Sequence, residues 1–207
     1  MKKLMVALAV MAIAAAAQAA VIFTETMGTV GGTTTFAAHT TALGWDNDSL
    51  LFSGDGDLRA TSGSTGYSGA SGGANVFLTT PTRSFIISGI NTTAYTDYSL
   101  TFGAFKTSAS ATPQAYSLDY STDGSSWTSL SPANLTGSGN SWQLVQFTSV
   151  ALPSSATLSI RWQSNATQAM RVDDVTLSGT PAAVPEPATM SLLGLGALAL
   201  VLRRKIK

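Results

Sequence analysis

Between residues 21 and 180 the chain alternates apolar and polar positions over short runs separated by Gly, Ser, Asn and Asp, and no stretch of ten residues keeps a helical period. Tyr98-Ser99-Leu100-Thr101-Phe102, Tyr116-Ser117-Leu118-Asp119-Tyr120 and Leu158-Ser159-Ile160-Arg161-Trp162 each have a repeat of two. Such segments present one apolar and one wet face, as antiparallel strands of a sandwich do. Val21 to Thr26, Asn75 to Thr80, Arg83 to Ser88, Trp127 to Leu130, Trp142 to Val150 and Met170 to Ser178 are further expected strands. Asp123-Gly124, lying between two of these runs, predicts a tight hairpin. About nine strands in this length predict an all-β domain, an antiparallel β-sandwich of the jelly-roll kind.

Two departures from the alternation stand out. In the last run Met170 and Val172 share one phase and Val175 and Leu177 the other, so a bulge is expected at Asp173-Asp174. Residues 53 to 75 contain a stretch, Thr61 to Gly73, made almost wholly of Ser, Gly, Thr and Ala, with Tyr67 as its one sizeable side chain. That composition buries little, and residues 53 to 75 as a whole are expected to form a long mobile surface loop.

The ends read differently. Met1-Lys2-Lys3, an apolar run from Leu4 to Ala17 and the small-x-small triplet Ala17-Gln18-Ala19 predict a secretory signal peptide over residues 1–19, removed by signal peptidase after export by the Sec machinery. The folded domain is expected over residues 20–180, followed by a Pro-rich linker over 181–187. Residues 188–207 carry an apolar stretch to Leu202 and then Arg203-Arg204-Lys205-Ile206-Lys207. An apolar helix of that length spans roughly 22 Å against a hydrocarbon core of about 30 Å, enough to stop transfer but short for a permanent transmembrane anchor. The basic end would stay cytoplasmic and the domain would lie outside.

Charge changes the picture once it is placed. The chain is formally neutral, yet residues 21–180 hold five basic and ten acidic residues, a charge of −5, which argues against a nucleic-acid partner. The absence of Cys excludes disulfides and thiol chemistry. His39 is the single imidazole, so no zinc site has a His pair to start from, and no Gly-x-Ser-x-Gly elbow rises above the low-complexity background. No catalytic residue is assigned and the domain is expected not to be an enzyme. A carboxylate pair acting on glycosides is the remaining enzymatic alternative. For a sugar-binding surface the candidates are Trp45 and Tyr67, which fall in or beside loops, whereas Trp162 shares the apolar phase of its strand.

The ordered tail of Val184-Pro185-Glu186-Pro187, a Gly/Ala/Leu-rich span and an arginine-rich end resembles the PEP-CTERM sorting signal of Gram-negative bacteria. The resemblance implies recognition by the membrane protease exosortase at Pro185, Glu186 and Pro187. It also implies an inner-membrane-anchored precursor, later released to the cell surface or extracellular matrix. Two prolines flanking one residue disfavour helix and keep the backbone extended for a protease.

The order Gly72-Gly73-Ala74-Asn75-Val76-Phe77, Phe85-Ile86-Ile87-Ser88-Gly89-Ile90-Asn91-Thr92, Tyr116 to Trp127, and Leu158 to Trp162 ending in Arg171-Val172-Asp173-Asp174-Val175 is similar to β-sandwich accessory modules of secreted bacterial proteins, among them carbohydrate-binding jelly rolls. That likeness implies neighbouring first and last strands, with an acid from each helping to hold a structural calcium ion. Glu25 and Asp174 are the candidates, and pairing of these acids with Arg161 or Arg171 is the alternative. The combined expectation is an exported, sorted, non-catalytic surface or matrix protein that contacts extracellular polysaccharide. The alternatives are a structural filler and a protein-binding adhesin.

Overall fold

The computed structural model describes residues 18–79, 81–106, 116–130, 135, 139–165 and 169–182. The triplet at 185–187 and Ala17 lie outside the described residues, and among those described no helix is long and apolar enough to cross a membrane.

Two antiparallel sheets face each other. The first contains β1 (Ala20–Glu25), β2 (Thr33–Thr35), β4 (Asp57–Arg59), β5 (Asn75–Leu78), β7 (Tyr95–Lys106), β10 (Ser141–Val150) and β12 (Met170–Pro181). Its order is β10-β7-β12-β5-β4-β2, with β1 also on β12. The second contains β3 (Leu51–Gly54), β6 (Ser84–Ile90), β8 (Tyr116–Ser121), β9 (Thr128–Ser129) and β11 (Leu158–Ser164), in the order β3-β6-β11-β8-β9. This is the expected all-β sandwich.

The alternation places the core. Leu158, Ile160 and Trp162 of β11 are fully buried, as are Phe85 and Ile87 of β6 and Leu100 and Phe102 of β7. Trp162 joins the sheets, its ring 5.6 Å from Phe85 on its own sheet and edge-on at 5.5 Å from Phe102 on the other. Each such side chain contributes roughly 1.5–3 kcal/mol on burial. The hairpin at Asp123-Gly124 forms: β8 pairs with β9, Gly124 has φ +73°, and Asp123 Oδ1 accepts from the N–H groups of Ser125 and Ser126 at 2.7 Å. Those donors hold the Asp123 carboxyl well below the usual range.

Elements the alternation does not announce are short, and two of them, the end of β3 and the whole of β4, fall within residues 53–75, expected as one loop but here paired with β6 and β5. β2 contains only Thr, and β4 hides its one apolar residue, Leu58, between the ion-paired Asp57 and Arg59. Helix α1 (Phe36–Thr41) is under two turns, capped by Thr35 Oγ1 accepting from Ala38 N, and turns Phe36 and His39 inward.

β12 uses one edge twice. β7 pairs along nearly its whole length, so the other edge is shared by β5, opposite residues 170–172, and β1, opposite residues 175–179. Between those partners the register slips and Asp174 takes φ +51°, so the bulge falls on the acidic pair as expected. This backbone conformation costs a non-glycine residue on the order of 1–3 kcal/mol, and Asp tolerates it better than most.

Candidate functional site

The bulge gathers acids that the strands on either side supply. Glu25, the last residue of β1, lies opposite Val175 and is fully buried. Its Oε1 accepts from Met27 N at 2.9 Å and its Oε2 from Asp46 N at 3.0 Å and Asn47 Nδ2 at 3.3 Å, so it clamps the 45–47 loop against β1. Burial pushes its carboxyl above the usual range. Asp173 is likewise fully buried; Oδ1 accepts from Asp174 N at 2.8 Å and Oδ2 has no donor among the described residues. Burial, then the neighbouring Asp174 charge, push Asp173 up to about 8. Asp174 is fully engaged, Oδ2 accepting from the Tyr67 hydroxyl and Oδ1 from Ser71 N at 3.2 Å.

Among the described residues no arginine forms an ion pair with these acids. Arg161 pairs with Asp119 at 2.9 Å, and Arg171 donates to Asn75 Oδ1 and Thr61 O. An unpaired buried carboxylate is costly, so such a group either keeps a proton or meets a cation. Among the described residues no three His, Asp or Glu side chains converge as a metal-binding group. Asp173 Oδ2 is the one oxygen of the Glu25, Asp173 and Asp174 carboxyls without a donor among the described residues, and a cation there would have to share an oxygen of Glu25 that already accepts from the N–H groups of Met27, Asp46 or Asn47. Asp174, the expected ligand, has both oxygens committed to the 67–71 loop.

That loop is not free. Asn75 Nδ2 donates to the carbonyls of Arg59, Thr61 and Ser62, and Trp142 Nε1 donates to Ser62 O at 3.0 Å. Arg171 lies over the Phe77 ring at 4.5 Å and fixes Thr61. The low-complexity segment, expected to be mobile, thus lies tied down on the outer face of the first sheet; its own side chains bury little, but the sheet supplies the donors.

The outer face beside the loop is polar and regular. Thr24 of β1, Thr176 of β12, Thr101 of β7 and Gln146 of β10 are successive cross-strand neighbours in one row. Tyr67, half-buried, walls this row and leaves a groove of about 150 Å³ that Leu144 and Asp174 also line. The hydroxyl end of Tyr67 sits directly over β7 because position 103 is glycine, where a Cβ would overlap the phenol oxygen. Burial, then the Asp174 carboxylate, push the Tyr67 phenol well above its usual range, so it stays a donor.

Trp45 is not on a wet surface. It is 7% exposed, stacked on Phe52 at 4.1 Å, with Nε1 donating to Thr40 Oγ1. Helix α1 covers it, and that short helix is what the sequence reading lacked. His39 is buried edge-on against Trp45, its pKa lowered by burial. Sequence reasoning also missed the roles of Asp173, Thr101, Thr176 and Gln146. The bulge predicted at Asp173-Asp174 was the available signal for the first. Alternation placed Thr101 and Thr176 outward, but only the register shows that they adjoin.

The PEP-CTERM protein-sorting motif matches residues 183–205, which indicates an exported protein. No curated protein matches the chain. Among solved structures the chain is similar to the K3 cleaved adhesin domain of Lys-gingipain from Porphyromonas gingivalis W83, at 12% identity over 78% of this chain and 99% of that one, TM-score 0.48. It is also similar to the CBM22-1 xylan-binding domain of Paenibacillus barcinonensis Xyn10C, at 12% identity over 82% of this chain and 100% of that one, TM-score 0.43.

Proposed function

We propose that the protein is an exported, non-catalytic surface or matrix component that contacts extracellular polysaccharide through the outer face of its seven-stranded sheet. The observation that carries this reading is the groove formed by the Thr24–Thr176–Thr101–Gln146 row beside Tyr67. Sugars present axial and equatorial hydroxyls together with apolar ring faces. A row of hydroxyl and amide groups beside an aromatic wall offers partners to both. Burial of His39 behind Trp45 and Gly44 supports the non-catalytic part, since the chain's single imidazole is withheld from solvent. Export would use the Sec machinery and signal peptidase at Ala17-Gln18-Ala19, and exosortase would act at Pro185-Glu186-Pro187. A structural calcium ion, where bound, would be held by Asp173 and Glu25 with nearby carbonyls, stiffening the β1–β12 junction under the Tyr67 loop.

Thr101→Arg tests the site. Thr101 is half-exposed in the groove floor and its side chain makes no hydrogen bond among the described residues, so the variant should keep its melting temperature. Co-sedimentation with the host's extracellular polysaccharide should weaken about tenfold or more, the equivalent of one lost polar contact. Unchanged saturable binding would remove this face from the account.

A further inference from the structure

Where the two ends of the domain leave the sandwich limits how the sorting signal can be reached. β1 begins at Ala20, opposite Gly179 of β12, and Val21 faces Ser178. On the other edge of β12, Thr180 pairs with Thr96 and Pro181 with Tyr95, and Ala182 N donates to Ala94 O at 2.8 Å. After a register shift between Ser178 and Thr180, backbone pairing resumes and holds to the residue before the matched motif, which starts at 183. Three further residues reach Pro185, a span of at most about 11 Å. A protease that cuts at the triplet meets it within that distance of folded protein.

The pole it meets is rigid. Thr92 is fully buried, its N–H donating to Ser155 O at 2.8 Å, its Oγ1 donating to Pro153 O at 2.9 Å and accepting from Ser155 N at 2.9 Å. The Tyr98 hydroxyl donates to the carbonyls of Thr92 and Tyr95. Fraying residues 180–182 would break their pairing with residues 94–96, and fraying back to Gly179 would break the β1 edge as well, which disfavours deep unwinding as the route to the triplet. The pole is also concave: a groove of about 450 Å³ opens there, lined by Ile22, Leu50, Ile90, Asn91, Ala94 and Tyr95.

We infer that this pole, formed by the start of β1, the 91–95 turn and the end of β12, is a docking surface for the protease that processes the sorting motif. The inference rests on the sorting reading of the tail and adds a folded recognition surface to it. The opposite pole, with Asn140 bonded to Lys106 O, lies a full β7 length away, about 36 Å, and takes no part.

Photo-crosslinking in the native host tests it, with the full chain carrying p-benzoylphenylalanine at exposed Thr93 or, separately, at exposed Asn140, and an epitope-tagged sorting protease. The expected result is an adduct with the protease from position 93, at least about tenfold stronger than from position 140, that persists when a twenty-residue Gly/Ser spacer separates Ala182 from Ala183. Maturation of Glu186→Ala tells the two readings apart. If Glu186→Ala matures like the parent, the sorting reading itself fails. If Glu186→Ala stalls but position 93 gives no adduct, or one that the spacer abolishes, the docking surface is overturned and the triplet is merely close to the fold.

Discussion

In protein stripped of divalent cations, stability falls as the pH is raised from 5 to 8, and Asp173→Asn removes most of that fall. Asp173 is fully buried with one carboxylate oxygen lacking a donor, and its pKa is pushed up to about 8 from an ordinary 3.8. The folded chain therefore holds a proton that the unfolded chain has released across this window. Stability from this group is complete below the unfolded value and is lost as pH rises through the folded one, at about 1.4 kcal/mol per pH unit. Glu25, also raised by burial, adds in the same direction. Asp123, held low by the Ser125 and Ser126 N–H groups, acts oppositely but only in acid, below the window. The asparagine keeps an acceptor for Asp174 N and carries no charge to desolvate, so at pH 8 the variant melts above the parent. Millimolar calcium should raise the parent's melting temperature at pH 8 and leave Asp173→Asn unchanged. A calcium-independent parent that still shows the pH slope leaves the proton as the neutralising partner and ends the calcium proposal. A flat pH profile would contradict the buried, unpaired state of Asp173.

The second large effect is expected from a single methyl group. Gly103→Ala places a Cβ where the Tyr67 hydroxyl lies, so the phenol must leave β7 and release Asp174. Asp174 would keep only its Ser71 contact while occupying a strained backbone conformation. Losing a charge-assisted hydrogen bond at a partly buried site costs about 1.5–3 kcal/mol, and repositioning of the loop adds to it. Thermal unfolding should show that loss, and amide exchange in residues 66–72 should quicken while the core strands keep their protection. Polysaccharide binding should drop with it, because Tyr67 no longer walls the groove. Gly103→Ala with parental stability and parental exchange in the loop would mean that Tyr67 does not hold this segment.

How much of this could be read from the sequence depended on length and on the source of the stabilising contacts. Strands with several alternating positions, such as Leu158 to Trp162, declared themselves because each second residue is buried in the same core. The β12 bulge was legible for the same reason: a one-residue slip in a buried strand inverts the phase, and the inversion falls on Asp173-Asp174. β2, β4 and α1 carry too few residues for a period to emerge. Trp45 was misplaced because the helix that covers it is one of these short elements. The loop from Thr61 to Gly73 was read as free because its own composition buries little. Its anchors, Asn75, Trp142, Arg171 and Asp174, stand on the sheet, three of them far along the chain, and only the fold brings them to it. The outer groove was illegible for a related reason, since the row from Thr24 to Gln146 joins four strands whose register a single sequence does not state.

The central claim is that polysaccharide is met on the outer face of the seven-stranded sheet. The most direct test is hydrogen-exchange footprinting of the purified protein with and without the host's extracellular polysaccharide at saturation. The account predicts protection confined to the 66–71 loop and to the amides around Thr101, Gln146 and Thr176, with the β6–β11–β8 face unchanged. Saturable binding that protects the second sheet or the poles instead, with the Tyr67 groove exchanging as in free protein, would contradict it.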